Sequence, residues 1–203
     1  MSRIAVIDFE TTGMSPDHGS RATEVGIVML QGGQVVDRFQ SLMNAGLYVP
    51  PFIEQLTGIS NEMVEAAPPA DRVMREAARF VGGAPMVAHN AAFDRKFWMD
   101  ELARVDEEAS QPFACTVLLA RRLYPHAPNH RLGTLRQWLG IAPTGRAHRA
   151  LADAETAAAV LLHMLEHLRT QHGVPEPDHA LLMALQRCAR AKLAGLLGSV
   201  VTA

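Results

Sequence analysis

Three β-rich runs stand at the head of the chain before any helical pattern begins. Residues 4–7 are an apolar run, and 24–30 and 34–42 are β-rich, the last two separated by Gln31-Gly32-Gly33. Those glycines read as a hairpin turn, so the chain opens as an antiparallel meander. Helices and strands then alternate. Residues 71–81 are amphipathic and stop at Gly82-Gly83, 85–88 read as a fourth strand, and Asn90 is placed to N-cap a helix running to about Val105. A short fifth strand is expected at 113–115, helices at 116–123 and 134–139 around a loop at 125–131, and a long alanine- and leucine-rich helix at 150–169. Parallel strands added to a meander through helical crossovers give an α/β fold with a mixed sheet.

The 203 residues are 48% hydrophobic and 20% charged, enough to bury a core without disulfides or structural metal. The two cysteines, Cys115 and Cys188, follow no close-spaced pattern, which fits a reducing compartment and argues against structural zinc. No secretory signal and no membrane span are read, and a cytoplasmic location is expected. The net charge of −2 does not itself suggest a polyanion as ligand, but its distribution is uneven. Residues 115–150 contain no Asp or Glu and carry Arg121, Arg122, Arg131, Arg136, Arg146 and Arg149, a segment able to present a local positive surface to phosphate.

Asp8 and Glu10 end the first run. Alternate residues of a strand share a face, so both carboxylates can point the same way. They repel unless a cation lies between them, and oxygen-only ligands favour hard cations such as Mg²⁺ or Mn²⁺. Taken alone, Asp-x-Glu is more often a solvated strand end. Two further segments change the context: His89-Asn90-Ala91-Ala92-Phe93-Asp94 after the fourth strand, and His148-Arg149-Ala150-Leu151-Ala152-Asp153 at the start of the long helix. Five residues along a helix rotate by about 500°, so His148 and Asp153 would lie about 140° apart on one continuous helix. His148 is therefore expected just before it, at the end of the loop holding Pro143, Thr144, Gly145 and Arg146.

With Asp8-Phe9-Glu10-Thr11-Thr12-Gly13, these segments make the chain resemble the DEDDh exonucleases, a family that includes the proofreading (epsilon) subunit of bacterial DNA polymerase III. The resemblance covers about residues 3–168. It implies a ribonuclease-H-like fold with a mixed five-stranded sheet and flanking helices, and hydrolysis of phosphodiester bonds in the 3′–5′ direction. Asp8, Glu10, Asp94 and Asp153 match the metal-binding acids, His148 matches the general base, and the cofactors implied are two divalent cations, Mg²⁺ or Mn²⁺. Thr11, Thr12 and Gly13 match the turn against the terminal nucleotide, although Gly13 can also serve a tight turn alone. The segment Leu56-Thr57-Gly58-Ile59 resembles the part near the terminal base, with Ile59 as a candidate contact and a buried helix turn as the alternative. His89 and Asn90 are candidate substrate contacts or structural caps. Phe9, Phe93, Phe97 and Trp98 read as core.

The expected partner is nucleic acid, a single-stranded 3′ end of DNA rather than RNA. Rival readings are an exonuclease subunit docked on a polymerase or helicase, an RNA-trimming enzyme, or a silent nucleic-acid-binding module. The domain division expected is an exonuclease domain at 1–170 and, at 171–203, a linker with one amphipathic helix at 181–197. In that helix Leu182, Leu185, Ala189, Leu193 and Leu196 form one stripe. The stripe can fold back on the chain itself, or pack against a protein partner or a second copy.

Overall fold

A computed structural model describes residues 3–201; residues 1–2 and 202–203, the outer ends of the two expected segments, lie outside it. Five strands, β1 (Ile4–Thr11), β2 (Ala22–Gln31), β3 (Gln34–Leu42), β4 (Met86–Ala88) and β5 (Phe113–Cys115), form one sheet in the order β3-β2-β1-β4-β5. β1, β2 and β3 pair antiparallel, while β4 joins β1 and β5 joins β4 in parallel. The sheet is mixed, as the order of elements implied, and five-stranded, as the ribonuclease-H-like fold expected from the resemblance requires.

Both faces of the central strands are covered, which is why β1 is apolar at nearly every position up to its acids. Ile4 and Val6 face α7 (Ala150–His172), joining Val28 and Leu30 with Ala154, Ala157, Ala158 and Leu161. Ala5, Ile7 and Phe9 face the other side, where α3 (Ala70–Val81) and α4 (Ala92–Ala103) supply Val73, Met74, Ala77, Phe97 and Trp98. The alanines of α7 let its axis come close to the sheet. Gly26 of β2 marks the tightest point, because a Cβ there would overlap the Ala150 and Leu151 backbone. Two short helices, α1 (Pro51–Thr57) and α2 (Asn61–Glu65), connect β3 to α3, and α5 (Thr116–Leu123) and α6 (Leu132–Trp138) connect β5 to α7.

Three local expectations need correction. β1 continues through Thr11, so Asp8 and Glu10 lie within a paired strand and not at its end. Asn90 does not N-cap α4: it adopts a left-handed conformation (φ 65°), which asparagine tolerates, and its carbonyl accepts from the Phe93 amide at 2.9 Å. The single tail helix is instead two, α8 (His179–Arg187) and α9 (Leu193–Val201), with Cys188 and Ala189 extended between them. The Cys188 carbonyl, freed from helical bonding, accepts from Arg122 Nε at 2.8 Å.

The stripe folds back on the chain. Leu181, Leu182 and Leu185 are buried in the same core as α7, and Leu193 and Leu196 pack against it, while Ala189 is exposed. Gln186 completes the sheet: its Oε1 accepts from the Cys115 amide at 2.7 Å and its Nε2 donates to the Phe113 carbonyl at 3.1 Å. One side-chain amide thus bonds β5 as a further strand would.

Candidate active site

Asp8 and Glu10 project from the face of β1 that α7 covers, while Phe9 between them is buried on the other face beside Phe97. Asp94, in the first turn of α4, reaches the end of β1, and its Oδ1 accepts from the Phe9 amide at 3.2 Å. The turn at Asn90 makes this possible by sending the chain from β4 straight into α4. Asp153 comes from the first turn of α7. His148 precedes that helix by two residues, in a left-handed conformation (φ 59°), and its amide donates to Asp153 Oδ2 at 3.0 Å. A strained backbone held by a specific bond is common at functional sites. The ligand atoms of Glu10, His148 and Asp153 all lie within 4.8 Å of one another.

The electrostatics agree with this crowding. Burial, then the charges of Asp94, Asp153, Glu10 and Glu24, raise the Asp8 carboxyl well above the usual range. Burial, with Asp153, Glu24 and Asp94, pushes Glu10 up to about 8 despite Arg149 nearby. Asp94 is pushed to about 8 by burial, against the bond from Phe9. Asp153 is also raised by burial, partly offset by the His148 amide. Without a cation, the cluster holds protons at neutral pH. Carboxylates forced this close together, three of them half-buried or buried around Asp94, have the donor chemistry of a hard divalent-ion site.

Two Glu–Arg pairs with buried carboxylates and half-buried arginines anchor the helices that bring acids to β1. Glu101 of α4 accepts from Arg21 Nε at 2.8 Å and Nη2 at 2.7 Å, and from the Ala22 amide at 3.0 Å. Glu24 of β2 holds Arg149 and the Ala150 amide at the head of α7. Sequence reasoning missed both acids. The available signal for Glu24 was a lone carboxylate early in an otherwise apolar strand.

The other candidates divide. Thr11 is buried and donates its hydroxyl to the Gly13 carbonyl at 2.6 Å, and Thr12 Oγ1 accepts from the Arg21 amide at 3.0 Å, so both brace the turn. Gly13 is closely approached there, since a Cβ would lie 2.6 Å from Ser20 Oγ, although that hydroxyl can rotate away. Ile59 does not face the cleft: its side chain is fully buried with Val49, Ile53 and Val64. Among the described residues, the large exposed apolar groups around α1 are Leu47, Tyr48, Phe52 and Leu56. The Arg146 guanidinium lies against Gly58, joining α1 to the His148 loop. His89 bonds Thr116 Oγ1 through Nδ1 at 2.8 Å, and burial depresses it to about 4, so it is neutral at physiological pH.

A cleft of about 590 Å³ opens beside His148 and Asp153, lined also by Arg131, Arg136, Thr144 and Thr156. A second, about 540 Å³, holds His89, Asn90, Arg121, His130 and Arg131. Arg131 and Leu132 border both. Of the arginine-rich segment, Arg121 and Arg131 are exposed at these openings, whereas Arg122, Arg136 and Arg149 bond the chain's own backbone or Glu24.

The family model described as an exonuclease matches residues 5–161. The chain belongs to that exonuclease family. The 3′-5′ exonuclease DinG of Bacillus subtilis (strain 168) is 34% identical over 207 residues, covering 95% of this chain and 22% of the relative. A PolC-type DNA polymerase III of Oceanobacillus iheyensis is 39% identical over 164 residues, covering 80% of this chain and 11% of the relative. The chain therefore spans only about a fifth and about a tenth of these relatives. Among solved structures, Exonuclease X in complex with 5′ overhanging duplex DNA shares the fold with TM-score 0.67 at 24% identity, covering 96% of this chain and 99% of that one. The nuclease domain of 3′hExo, a DEDDh family member bound to rAMP, gives TM-score 0.68 at 20% identity, covering 81% of this chain and 92% of that one.

Proposed function

We propose that this exonuclease-family chain removes nucleotides one at a time from the 3′ end of a nucleic-acid strand, DNA in preference to RNA. The observation that carries the reading is the convergence of Asp8, Glu10, Asp94 and Asp153 with His148 at one end of β1. In this reading Asp8, Glu10, Asp94 and Asp153 would hold two divalent ions, Mg²⁺ or Mn²⁺. When bound, the ions would neutralise the carboxylates and stabilise charge on the phosphate undergoing displacement. His148 takes the proton of the attacking water as its oxygen bonds to phosphorus and the bond from phosphorus to the 3′ oxygen breaks. Arg121 and Arg131 draw the strand across the openings by its phosphates. The turn at Thr11, Thr12 and Gly13 faces the terminal nucleotide through its backbone, and Asn90, beside His89, lies under the neighbouring phosphate.

A second reading concerns the setting. The likeness to PolC-type polymerases favours action beside a polymerase, in the cytoplasm. A protein contact through the tail then falls to α9, whose Val200 and Val201 are exposed, because the α8 leucines are already buried.

The test compares end-labelled single-stranded DNA, duplex DNA and RNA in Mg²⁺ and in Mn²⁺, with Asp8→Asn as control. Mononucleotides should leave unblocked 3′ ends, DNA first. Release from the 5′ end of a 3′-blocked strand, or hydrolysis undiminished in excess chelator, refutes the reading.

A further inference from the structure

Glu24 lies directly across the β1–β2 ladder from Glu10, and Gly26 directly across from Asp8. These two β2 positions seat the head of α7. Glu24 is fully buried, and both of its oxygens are occupied. Oε1 accepts from Arg149 Nη2 and from Gln40 Nε2, each at 2.7 Å, and Oε2 accepts from Arg149 Nε and the Ala150 amide, each at 3.0 Å. Burial alone would raise this carboxyl, but Arg149, the Ala150 amide and Gln40 outweigh it, so it is lowered where its neighbours are raised. With four donors already bonded, Glu24 has little left to offer a cation, although it sits beside the acidic cluster.

We propose that Glu24 and Arg149 form a positioning clamp that sets His148 for proton transfer. His148 is covalently next to Arg149, and its left-handed backbone needs support from both sides. On the other side, Thr144 Oγ1 donates to the Ala152 carbonyl at 2.7 Å and ties the preceding loop to α7. Gly26 removes the Cβ that would push Ala150 off the strand. The bidentate guanidinium fixes direction as well as distance, which an ammonium cannot do. The proposal rests on the exonuclease reading for its chemical meaning. Its geometric content does not depend on activity.

The test uses the full chain with Arg149→Met, Arg149→Lys and Glu24→Gln, each also in a His148→Ala background, after thermal melts show which variants fold. Arg149→Met should lower kcat on a single-stranded DNA oligonucleotide roughly ten- to a hundredfold, the scale of a misplaced catalytic group, with KM within about threefold. Arg149→Lys should recover part of the loss. In the His148→Ala background, Arg149→Met should cost less than about threefold, because the group it positions is gone. Independently, NMR of the metal-free protein should show the His148 ring resonances displaced in Arg149→Met and Glu24→Gln, with those of the exposed His18 and His126 unmoved. Equal loss of kcat in both backgrounds, or a His148 resonance unchanged in the folded variants, overturns the clamp. A wild-type chain that releases no nucleotide overturns the exonuclease reading instead, and the resonances still decide the clamp.

Discussion

His148 donates its backbone amide to the carboxylate of Asp153 at 3.0 Å, so the expected base and one expected metal ligand are coupled through the main chain. The bond survives any change to the imidazole. His148→Ala should therefore lower turnover by roughly two to four orders of magnitude and leave divalent-ion affinity and oligonucleotide binding nearly unchanged. Single-turnover kinetics beside an Mn²⁺ titration checks this, and near-normal turnover rejects His148 as the base.

Asp8 carries little structural duty, because burial and then its acidic neighbours raise it, and its side chain forms no hydrogen bond among the described residues. Asp8→Asn should abolish hydrolysis while raising the melting temperature of the metal-free protein, since it removes a charge that the fold disfavours. Calorimetry in chelator, with a nuclease assay in parallel, tests both halves. A lower melting temperature would count against the electrostatic account.

Asp94 differs, because it also accepts the Phe9 amide beyond the short β4. Asp94→Asn keeps an acceptor and should lose activity with little loss of stability. Asp94→Ala leaves a buried amide without a partner and should cost an additional 1–3 kcal/mol or so. Equal denaturation midpoints for the two variants would show that the bond to Phe9 contributes nothing.

The pH dependence follows from the raised carboxyls. Glu10 and Asp94 sit at about 8, so between the ordinary carboxylate range and about 8 the folded chain binds more protons than the unfolded chain. Their contribution to stability thus declines as pH rises through that interval. Buried histidines act oppositely at lower pH: His89, depressed to about 4, stabilises more as pH rises towards 6.5. The clean window is therefore pH 6.5–8.5. There the metal-free melting temperature should fall by roughly 3–8 °C, and saturating Mg²⁺ or Mn²⁺ should flatten the decline. A metal-free melting temperature that rises across this window contradicts the shifts.

The expected division at residue 170 separates chemistry from support, and the site residues all precede 154. The core does not divide there, because Leu181, Leu182 and Leu185 pack with α7. We predict that a chain ending at Thr170 melts lower by roughly 10 °C or more, as expected for losing several buried leucines, yet hydrolyses short oligonucleotides in the cold. A folded truncation with no hydrolysis would place the tail in the active site.

Asp8, Glu10, Asp94, Asp153 and His148 were singled out by three motif segments that resemble the exonuclease family, and the fold brings those segments together, although Asp8 and Glu10 lie inside β1 and not at its end. Glu24 was not. It read as one acid at the start of a β-rich run, and Arg149 read as part of a basic segment awaiting phosphate. Only the ladder register, which places Glu24 opposite Glu10, pairs them. The two-part tail was equally hidden, since its leucine spacing suits one helix and the break is made by Arg122, about 66 residues away in sequence. Ile59 misled for a related reason: an apolar residue beside exposed Leu56 gives no sign of which one turns inward.

The Gln186 amide bonded along β5 has a consequence for handling the protein. An edge shielded by a side chain opens when one helix lifts, without any strand unfolding. Shelf life and resistance to clumping in concentrated solution should then be governed by a helix remote from the chemistry, and a preparation could lose colloidal stability while its catalytic half stays intact.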